Sequence, residues 1–321
     1  MVLDLMICRI PGLKGEETIK LVKKFNSADE LLRLSKKDLE NFIGRIIPDH
    51  DYNPSQVLLM AEKDYSLAEK LGIHIVSFRE EAYPPLAREI FDPPAVLFYR
   101  GVLPQPEKPL VAMVGTRKPT SAGAARAFAL GRELGEAGIP VVSGLALGID
   151  SMSHMGNIEG GAPTVAVLGS SPDLIYPYSN RGLARRILEI GGAIISEYPP
   201  GTRPFRWNFP VRNRIISAIS RGVVIVEAPV KSGALITARF AIEHNRDLWI
   251  DKAGLASPMG AGAAILAEDG AKEISSAKDI LVEWNIAVKE KGSGENKTKK
   301  TSPGEGTYLA SSLAEQLEIN L

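Results

Sequence analysis

The stretch between Pro199 and Ile242 mixes basic and aromatic side chains in a pattern that suits a polyanion with unpaired bases. The whole chain holds 38 basic and 38 acidic residues, whereas this stretch holds seven basic residues and one acidic residue, Glu227. Charged nitrogens pair with phosphates, and flat rings stack on unpaired bases at roughly 1–3 kcal/mol per base. The pattern therefore predicts a surface for single-stranded nucleic acid. The basic residues are Arg203, Arg206, Arg212, Arg214, Arg221, Lys231 and Arg239.

Three aromatic residues lie within this stretch and do not have equal prospects. Phe209 stands between Arg206 and Arg212, which favours a stacking role. Phe205 and Trp207 lie in a proline-containing segment, and aromatic residues near prolines also serve to fix a loop to the core. Both interpretations stay open for these two residues.

A second candidate site follows the apolar run 111–114 and precedes a predicted helix. Gly115 would let the backbone approach a phosphate, Thr116 would donate a hydrogen bond, and Arg117 would pair with the anion in bidentate fashion. A plain tight turn is the alternative. The segment contains neither a G-x-G-x-x-G motif nor a Walker loop, so it signals neither a dinucleotide nor a nucleoside triphosphate.

Two further strand–turn–helix segments are expected to border the same cleft. Ser143 and Gly144 follow the apolar run 139–142, and Lys231 lies in the turn that follows the run 222–227. The carboxyl ends of parallel strands meet at one edge of a sheet, where ligands bind. The convergence of several such loops is stronger evidence for a cleft than any one loop.

Ser143, Asp150 and His154 suggest a hydrolase triad by residue type, but their spacing argues against one. No G-x-S-x-G elbow is present, and His154 lies one turn from Asp150 on the same predicted helix. A capping role for Asp150 and an ordinary helical position for His154 fit better. We therefore expect no catalytic residues.

The loops must be positioned by alternating strands and helices, which imply right-handed βαβ units and a mostly parallel sheet in an α/β fold. Nearly continuous apolar strands such as 223–226 indicate burial on both faces. We expect strands at 73–78, 95–99, 110–114, 139–142, 164–168, 193–196, 222–227 and 248–250. We expect helices at 121–137, 149–159, 180–190, 213–220, 232–244 and 260–268.

Composition divides the chain into three parts. Residues 1–72 show helical periodicity and predict a small all-helical domain, in which 10–15 resembles a helix-hairpin-helix turn or simply joins packed helices. Residues 73–285 carry the alternating pattern. The first half of residues 286–321 is rich in Lys, Gly, Ser and Thr. This composition predicts a flexible linker that is followed by a short tail.

Several classes of protein are disfavoured by composition. Cys8 is the only cysteine, which excludes an internal disulfide and a multi-cysteine metal site, and we expect it to be buried. No metal site or cofactor is indicated. No signal peptide or membrane-spanning run is visible, so a soluble cytosolic protein is expected.

The motifs occur in the same order as in the DNA-processing protein A family (DprA, also called Smf), which this chain resembles over about residues 5 to 252. Arg212-Asn213-Arg214 is the most specific of the shared blocks. The matching segments are Val114-Gly115-Thr116-Arg117, Ser143-Gly144-Leu145-Ala146-x-Gly148-Ile149-Asp150, Tyr176-Pro177-x-x-Asn180, Phe209-Pro210-x-Arg212-Asn213-Arg214-Ile215-Ile216 and Ser232-Gly233-x-Leu235-Ile236-Thr237.

The resemblance implies an extended Rossmann-like fold, a helical N-terminal domain, a homodimer, and no catalysis. It implies a cytosolic bacterial protein that binds single-stranded DNA and delivers it to the RecA recombinase during natural transformation, in competent cells, or in recombination. Phosphate binding falls on Gly115, Thr116 and Arg117. Arg206 and Phe209 become the basic and aromatic pair of the DNA pocket. The full set of expected DNA-binding residues is Gly115, Thr116, Arg117, Ser143, Gly144, Arg206, Phe209, Arg212, Asn213 and Lys231.

The sequence departs from the family pattern at three places. Leu147 stands where arginine is frequent, Tyr178 stands where a basic residue is common, and the segment 250–262 differs. The alternative function is binding or hydrolysis of a free nucleotide on a related fold. Residues 228–236 lack the glycine cluster and the glutamate that such hydrolases typically carry.

Overall fold

The computed structural model describes residues 1–47 and 52–287. The predicted linker and tail, 286–321, lie outside these residues apart from their first two. The helices are α1 (Val2–Arg9), α2 (Gly15–Lys24), α3 (Ala28–Leu32), α4 (Lys36–Ile43), α5 (Pro54–Lys70), α6 (Ser121–Glu136), α7 (Ile149–Glu159), α8 (Arg181–Glu189), α9 (Asn208–Ala218), α10 (Ala234–Glu243), α11 (Lys252–Leu255), α12 (Ala261–Glu268) and α13 (Ala277–Glu283).

Nine strands form a single sheet in the described part of the chain. They are β1 (His74–Ser77), β2 (Val96–Gly101), β3 (Val111–Val114), β4 (Val141–Ser143), β5 (Val165–Leu168), β6 (Ala193–Ser196), β7 (Gly222–Ile225), β8 (Asp247–Asp251) and β9 (Lys272–Ile274). Their order is β1-β2-β6-β5-β4-β3-β7-β8-β9. The pairs β1–β2 and β2–β6 are antiparallel, and the other pairs are parallel. The prediction of a Rossmann-like, mostly parallel sheet preceded by helices is confirmed.

The strand order reverses at β3, and this reversal locates the site. From β3 the chain adds β4, β5 and β6 on one side, and it then returns to place β7 on the other side. In open α/β sheets, a crevice forms outside the carboxyl ends of the strands at such a reversal. The loops that follow β3, β4 and β7 are therefore brought to one place.

The central strands are buried on both faces, as their apolar runs predict. On one face of the sheet, Met113 and Val224 cluster with Leu130 of α6. Trp249 belongs to the same cluster. Ala112 and Val223 belong to the opposite face, where α9 and α10 pack. Successive side chains of a strand point to opposite faces, so each run needs apolar residues at every position. This packing makes β3 and β7 a rigid base for the loops.

The N-terminal helices share a second apolar core with the antiparallel edge of the sheet. Residues of α1 and α2, such as Leu5 and Leu21, cluster with Val96 and Phe98 of β2. Cys8 does not join this core. It follows the buried residues 4–7 of α1 and is exposed, so the prediction of a buried cysteine is wrong.

The observed elements differ from the predicted ones where the pattern is weak. Helix α9 begins at Asn208 instead of 213 because Pro210 lies in its first turn, where a missing N–H costs no helical hydrogen bond. Strand β9 was not predicted, since it has three residues and two of them are exposed. Helices α11 and α13 were also missed.

Within the described residues, no helix is both long enough and apolar enough to cross a bilayer.

Candidate nucleic-acid interface

A cleft opens at the reversal point of the sheet, between the β3–α6 and β4–α7 loops and the start of α9. Its wall combines two guanidinium groups with two aromatic rings. The residues that line it are Arg117, Gly144, Ala146, Leu147, Tyr176, Pro177, Phe209 and Arg212. A mixed cationic and aromatic lining suits a ligand that has both phosphates and flat bases.

The β3–α6 loop is fixed by its own backbone. A Cβ at Gly115 would lie 2.5 Å from Cγ1 of Ile149 and 2.7 Å from the carbonyl oxygen of Glu227, so only glycine fits there. The amide of Thr116 donates to that same carbonyl at 2.7 Å, and its own carbonyl accepts from Ile149 at 3.2 Å. The next side chain, Arg117, is exposed. The loop thus presents a guanidinium on a braced backbone.

A carboxylate of the protein occupies the N-terminus of α6. Oε2 of Glu227 accepts from the amide of Thr120 at 2.9 Å, and Oε1 accepts from the hydroxyl of Thr120 at 2.6 Å. A Cβ at Gly123 would lie 2.1 Å from the carboxyl carbon, so this glycine makes room for it. Helix N-termini of this kind bind phosphate in nucleotide-binding folds. Here an internal anion fills that position.

The β4–α7 loop is organised around a second buried carboxylate. Oδ2 of Asp150 accepts from the amides of Gly144 at 3.0 Å and Ala146 at 3.3 Å. The carboxylate of Asp150 therefore stabilises the loop through these two hydrogen bonds. The predicted capping role is wrong, since Gly148 is the N-cap of α7. Between the two amides, Leu145 is buried with φ 56°, a left-handed conformation that the surrounding hydrogen bonds must hold.

Arg212 closes the floor of the cleft from α9 and is only 4% exposed. Its Nη1 donates to the carbonyl oxygen of Gly144 at 2.9 Å and to that of Val167. Burial lowers the pKa of Arg212 to about 10, against an opposing contribution from Asp150. Burial also raises the pKa of Asp150, against the attraction of Arg212. Arg212 therefore shapes the cleft by joining α9 to the loop after β4.

Phe209 is the centre of a ring of contacts that faces the cleft. The guanidinium carbon of Arg117 lies 5.5 Å from the centroid of its ring, within the range of a cation–π contact. The ring of Tyr176 lies 5.6 Å away on the other wall at an interplanar angle of 39°. Tyr176 belongs to the matching segment Tyr176-Pro177-x-x-Asn180, but it is not among the expected DNA-binding residues. Its chain neighbours carry no charge pattern, and only the return of the loop after β5 brings it here.

The remaining predicted residues fall into exposed and internal groups. Arg206 and Lys231 are exposed, and neither makes a hydrogen bond or ion pair with another described residue. Nδ2 of Asn213 donates to the carbonyl oxygen of Gly233 at 3.2 Å, which ties α9 to the loop that carries Lys231. Neither Arg206 nor Lys231 is among the described residues that line the cleft.

Ser143 and Thr116 are expected to bind DNA, but the hydroxyl groups of both residues make hydrogen bonds inside the protein. Ser143 is fully buried, and its hydroxyl donates to the carbonyl oxygen of Met113 at 2.6 Å. The structure thus gives Ser143 a role in joining β4 to β3. The hydroxyl of Thr116 accepts from the amide of Lys118 at 3.2 Å inside the loop, and the residue is 9% exposed. Arg117 is the member of its motif that is free to reach a ligand.

The predicted departure at Tyr178 has a structural counterpart. Tyr178 is 71% exposed, and the guanidinium of Arg181 lies over its ring at 4.0 Å. A positive charge is therefore present beside Tyr178 although the residue itself is neutral. Leu147 lines the cleft and is 40% exposed.

The turn at 10–15 offers no free anion site. A Cβ at Gly15 would lie 1.3 Å from Oδ1 of Asp92, so that carboxylate packs directly on the turn. Glu17 adds a second carboxylate, which accepts from the amide of Lys14 at 2.7 Å. Two internal anions favour the packing interpretation of this segment over contact with phosphate.

His154 is a buried neutral residue whose hydrogen bonds lie away from the cleft. Thr164 gives its hydroxyl hydrogen to the carbonyl oxygen of Val141 at 2.7 Å, so its oxygen receives a hydrogen bond from Nδ1 of His154, also at 2.7 Å. Nε2 is buried without a partner. Burial, together with the positive charge of Arg212, lowers the pKa of His154 to about 3.

Acid is expected to destabilise the protein through His154. A depressed pKa means that the stabilising contribution is complete above the unfolded value near 6.5 and is lost as the pH falls towards about 3. Between pH 6.5 and 4.5 the loss amounts to about 2 kcal/mol. Urea unfolding of the wild type and of His154→Gln across this range will measure it. Equal pH dependence of the two proteins would contradict the assignment, since His244 and all other groups are common to both.

The chain matches a known protein family and is similar to known members of it. The family model described as DNA recombination-mediator protein A matches residues 74–285. The DNA processing protein DprA of Bacillus subtilis is 40% identical over 215 residues, which are 66% of this chain and 71% of that protein.

Two solved structures are similar along most of their own length. DNA processing protein A of Streptococcus pneumoniae has a TM-score of 0.72 and 31% identity, and the match covers 88% of this chain and 98% of that one. DNA processing protein A of Helicobacter pylori has a TM-score of 0.57 and 30% identity. This match covers 66% of the present chain and 95% of the Helicobacter pylori chain. That second structure is described by its single-stranded DNA binding mode.

Proposed function

Since the chain belongs to the DNA recombination-mediator protein A family, we propose that it binds single-stranded DNA in the cleft and delivers it to a RecA-type recombinase. The observation that carries the first part is the pair formed by Arg117 and Phe209, a cation and an aromatic face that line one cleft. The DNA-binding mode described for the Helicobacter pylori relative supports the same conclusion.

In this proposal the backbone and the bases of DNA are recognised by different groups. Arg117 pairs with a phosphate, and Phe209 offers its ring to a base, with Tyr176 on the opposite wall. Arg206 supplies further positive charge just before α9, and Lys231 supplies it in the loop after β7. Every base has a flat face, and every nucleotide has a phosphate, so binding is largely independent of sequence. A duplex hides its base faces and is bound more weakly.

The alternative, binding or hydrolysis of a free nucleotide, is disfavoured by Glu227. The phosphate of a nucleotide would need the N-terminus of α6, which the carboxylate of Glu227 already satisfies and makes negative. The hydroxyl of Ser143 and the ring of His154 also make their hydrogen bonds with other groups. We therefore propose a binding protein that performs no catalysis.

The proposal extends to partners and setting. We infer delivery of the strand to the recombinase, assembly as a homodimer, and action in the bacterial cytosol during natural transformation or wider recombination. Membership of the family supports each of these proposals. Pull-down of the recombinase in the presence and absence of single-stranded DNA, together with sedimentation of the free protein, tests the two partners separately.

Fluorescence anisotropy of a labelled oligothymidylate over a salt series tests DNA binding. Three exposed cations (Arg117, Arg206 and Lys231) predict that the logarithm of affinity falls with the logarithm of salt with a slope of about −2, at roughly 0.7 per phosphate contact. Arg206→Ala is expected to weaken binding and to make the slope shallower by about 0.7. The same labelled strand annealed to its complement is the control.

Two outcomes would count against the proposal. Absence of binding to the oligothymidylate at low salt would contradict DNA recognition. Competition by millimolar nucleoside monophosphate or NAD, with no effect of added DNA, would favour the nucleotide alternative.

A further inference from the structure

The turn before α9 carries two aromatic rings that stack on each other in solvent. The centroids of Phe205 and Trp207 are 4.8 Å apart, and their planes differ by 6°. Phe205 is 44% exposed and Trp207 is 68% exposed. The sequence left open whether these residues fix the loop to the core or contact a ligand. Their exposure shows that neither is buried in a core.

The stack is held in place by the backbone and not by the core. The carbonyl oxygen of Phe205 accepts from the amide of Asn208 at 3.0 Å, which closes the turn. Asn208 is buried and its Nδ2 donates to the carbonyl oxygen of Gly169 at 2.9 Å, so the turn is anchored immediately beside the two rings. One face of Trp207 rests on Phe205, and an exposed ring surface is presented on a fixed support.

The surroundings of the stack are positively charged. Arg203 precedes the two rings in the chain and Arg206 lies between them. Both are exposed and make no hydrogen bond or ion pair with the residues that the structure describes. Other arginines of the same stretch are already engaged. Arg212 and Arg214 are buried, and Arg239 pairs with Glu243 at 3.3 Å. Of the three unengaged cations in this stretch, Arg203 and Arg206 therefore lie at the aromatic pair, and the third is Lys231.

We propose that Phe205 and Trp207 form a second stacking platform for unpaired bases, outside the cleft, along the same single strand that the cleft binds. This inference rests on the proposed function and adds a subsite to it. A base continues the Phe205–Trp207 stack on the exposed face of the indole, and Arg203 and Arg206 pair with the flanking phosphates. Phe209, two residues further along the chain, links the platform to the cleft.

The occupant is a nucleic acid strand because the platform combines aromatic faces with unpaired cations. A surface for an apolar partner would place aliphatic or neutral residues around the rings. A second copy of the chain would have to bring acidic residues to Arg203 and Arg206. A base with its phosphates satisfies both the ring and the charges at once.

Intrinsic fluorescence provides a direct test, because the sequence contains three tryptophans and only Trp207 is exposed. Trp249 and Trp284 are 0% and 6% exposed and contact each other with centroids 5.5 Å apart. Stacking of a base on the indole quenches its emission. We expect a long oligothymidylate to quench the wild-type fluorescence at concentrations that saturate the anisotropy signal, and Trp207→Phe to abolish the quenching while DNA still binds.

Affinity gives a second readout. Trp207→Leu is expected to weaken binding of the long oligothymidylate about tenfold, the factor that corresponds to stacking of one base. Trp207→Phe is expected to retain most of the affinity, since it keeps a ring. Phe91→Leu is the matched control, because Phe91 is 79% exposed and lies in the loop before β2.

The outcomes separate this inference from the proposed function. Full anisotropy binding without quenching, and with unchanged affinity of Trp207→Leu, would overturn the platform and leave the cleft standing. No binding in either assay would overturn the proposed function itself. Concentration-dependent quenching without DNA, with a smaller particle for Trp207→Leu in sedimentation, would show that a second copy covers the rings and would also overturn the platform.

Discussion

Arg117→Ala is expected to reduce the affinity for single-stranded DNA by about tenfold to a hundredfold while the protein keeps its stability. A hydrogen bond to a charged group is worth about 1.5–3 kcal/mol, and the substitution removes both this pairing and the cation beside Phe209. The fold is spared because Gly115 and Thr116 brace the loop through backbone contacts that do not involve the side chain of Arg117. Anisotropy at fixed salt measures the loss.

Two companion variants make the result specific for position and geometry. Arg132→Ala removes a half-exposed arginine from a later turn of α6, where it pairs with Glu136 at 3.8 Å, and is expected to bind like the wild type. Arg117→Lys keeps the charge but loses the two-pronged donor, and is expected to fall between the wild type and alanine. Wild-type affinity in Arg117→Ala would remove the cleft from the DNA-binding surface.

Arg212→Met is expected to lower the free energy of unfolding by about 3 kcal/mol. The substitution leaves the carbonyl oxygens of Gly144 and Val167 without their donor and removes the positive charge beside the buried carboxylate of Asp150. Breaking a buried charge arrangement by removing one partner costs about 3–5 kcal/mol. Urea unfolding at neutral pH measures the change, and Arg239→Ala, on the exposed face of α10, is expected to change stability by less than about 0.5 kcal/mol.

A double substitution separates charge from packing in this result. Asp150→Asn keeps an oxygen that accepts from the amide of Gly144 but removes the negative charge. We expect Arg212→Met to cost less in the Asp150→Asn background than in the wild type, because no buried charge is left uncompensated. Identical costs in the two backgrounds would show that Arg212 acts through its hydrogen bonds alone.

Strand and turn positions could be predicted because their signals are local. An apolar run that ends in glycine predicts the end of a buried strand, and Gly115 and Gly144 do lie at such ends. The reversal at β3 could not be obtained in this way, since it depends on which strands pair. For that reason the sequence indicated several loops at one edge but did not show that Tyr176 faces Phe209.

The count of basic residues was the least reliable way to predict the residues of the site. The excess of basic residues between Pro199 and Ile242 pointed to a stretch that contributes Phe209 and Arg212 to the cleft, but a count treats every charge as exposed. Arg212 is 4% exposed and Arg214 is 7% exposed, with Arg214 paired to Glu197. Residue type alone does not distinguish an arginine that holds the fold from one that meets a ligand. The same applies to Ser143, whose hydroxyl joins two strands.

The carboxylate of Glu227 at the head of α6 has a consequence for selectivity inside a living cell. Nucleotide metabolites are abundant, and they carry the same phosphate and base chemistry as a DNA strand. An open helix terminus in the cleft would fill with such small molecules and would tie DNA capture to the energy charge of the cell. With that position occupied from within, we expect affinity to come from contacts spread along a polymer, so that free nucleotides compete weakly with a strand.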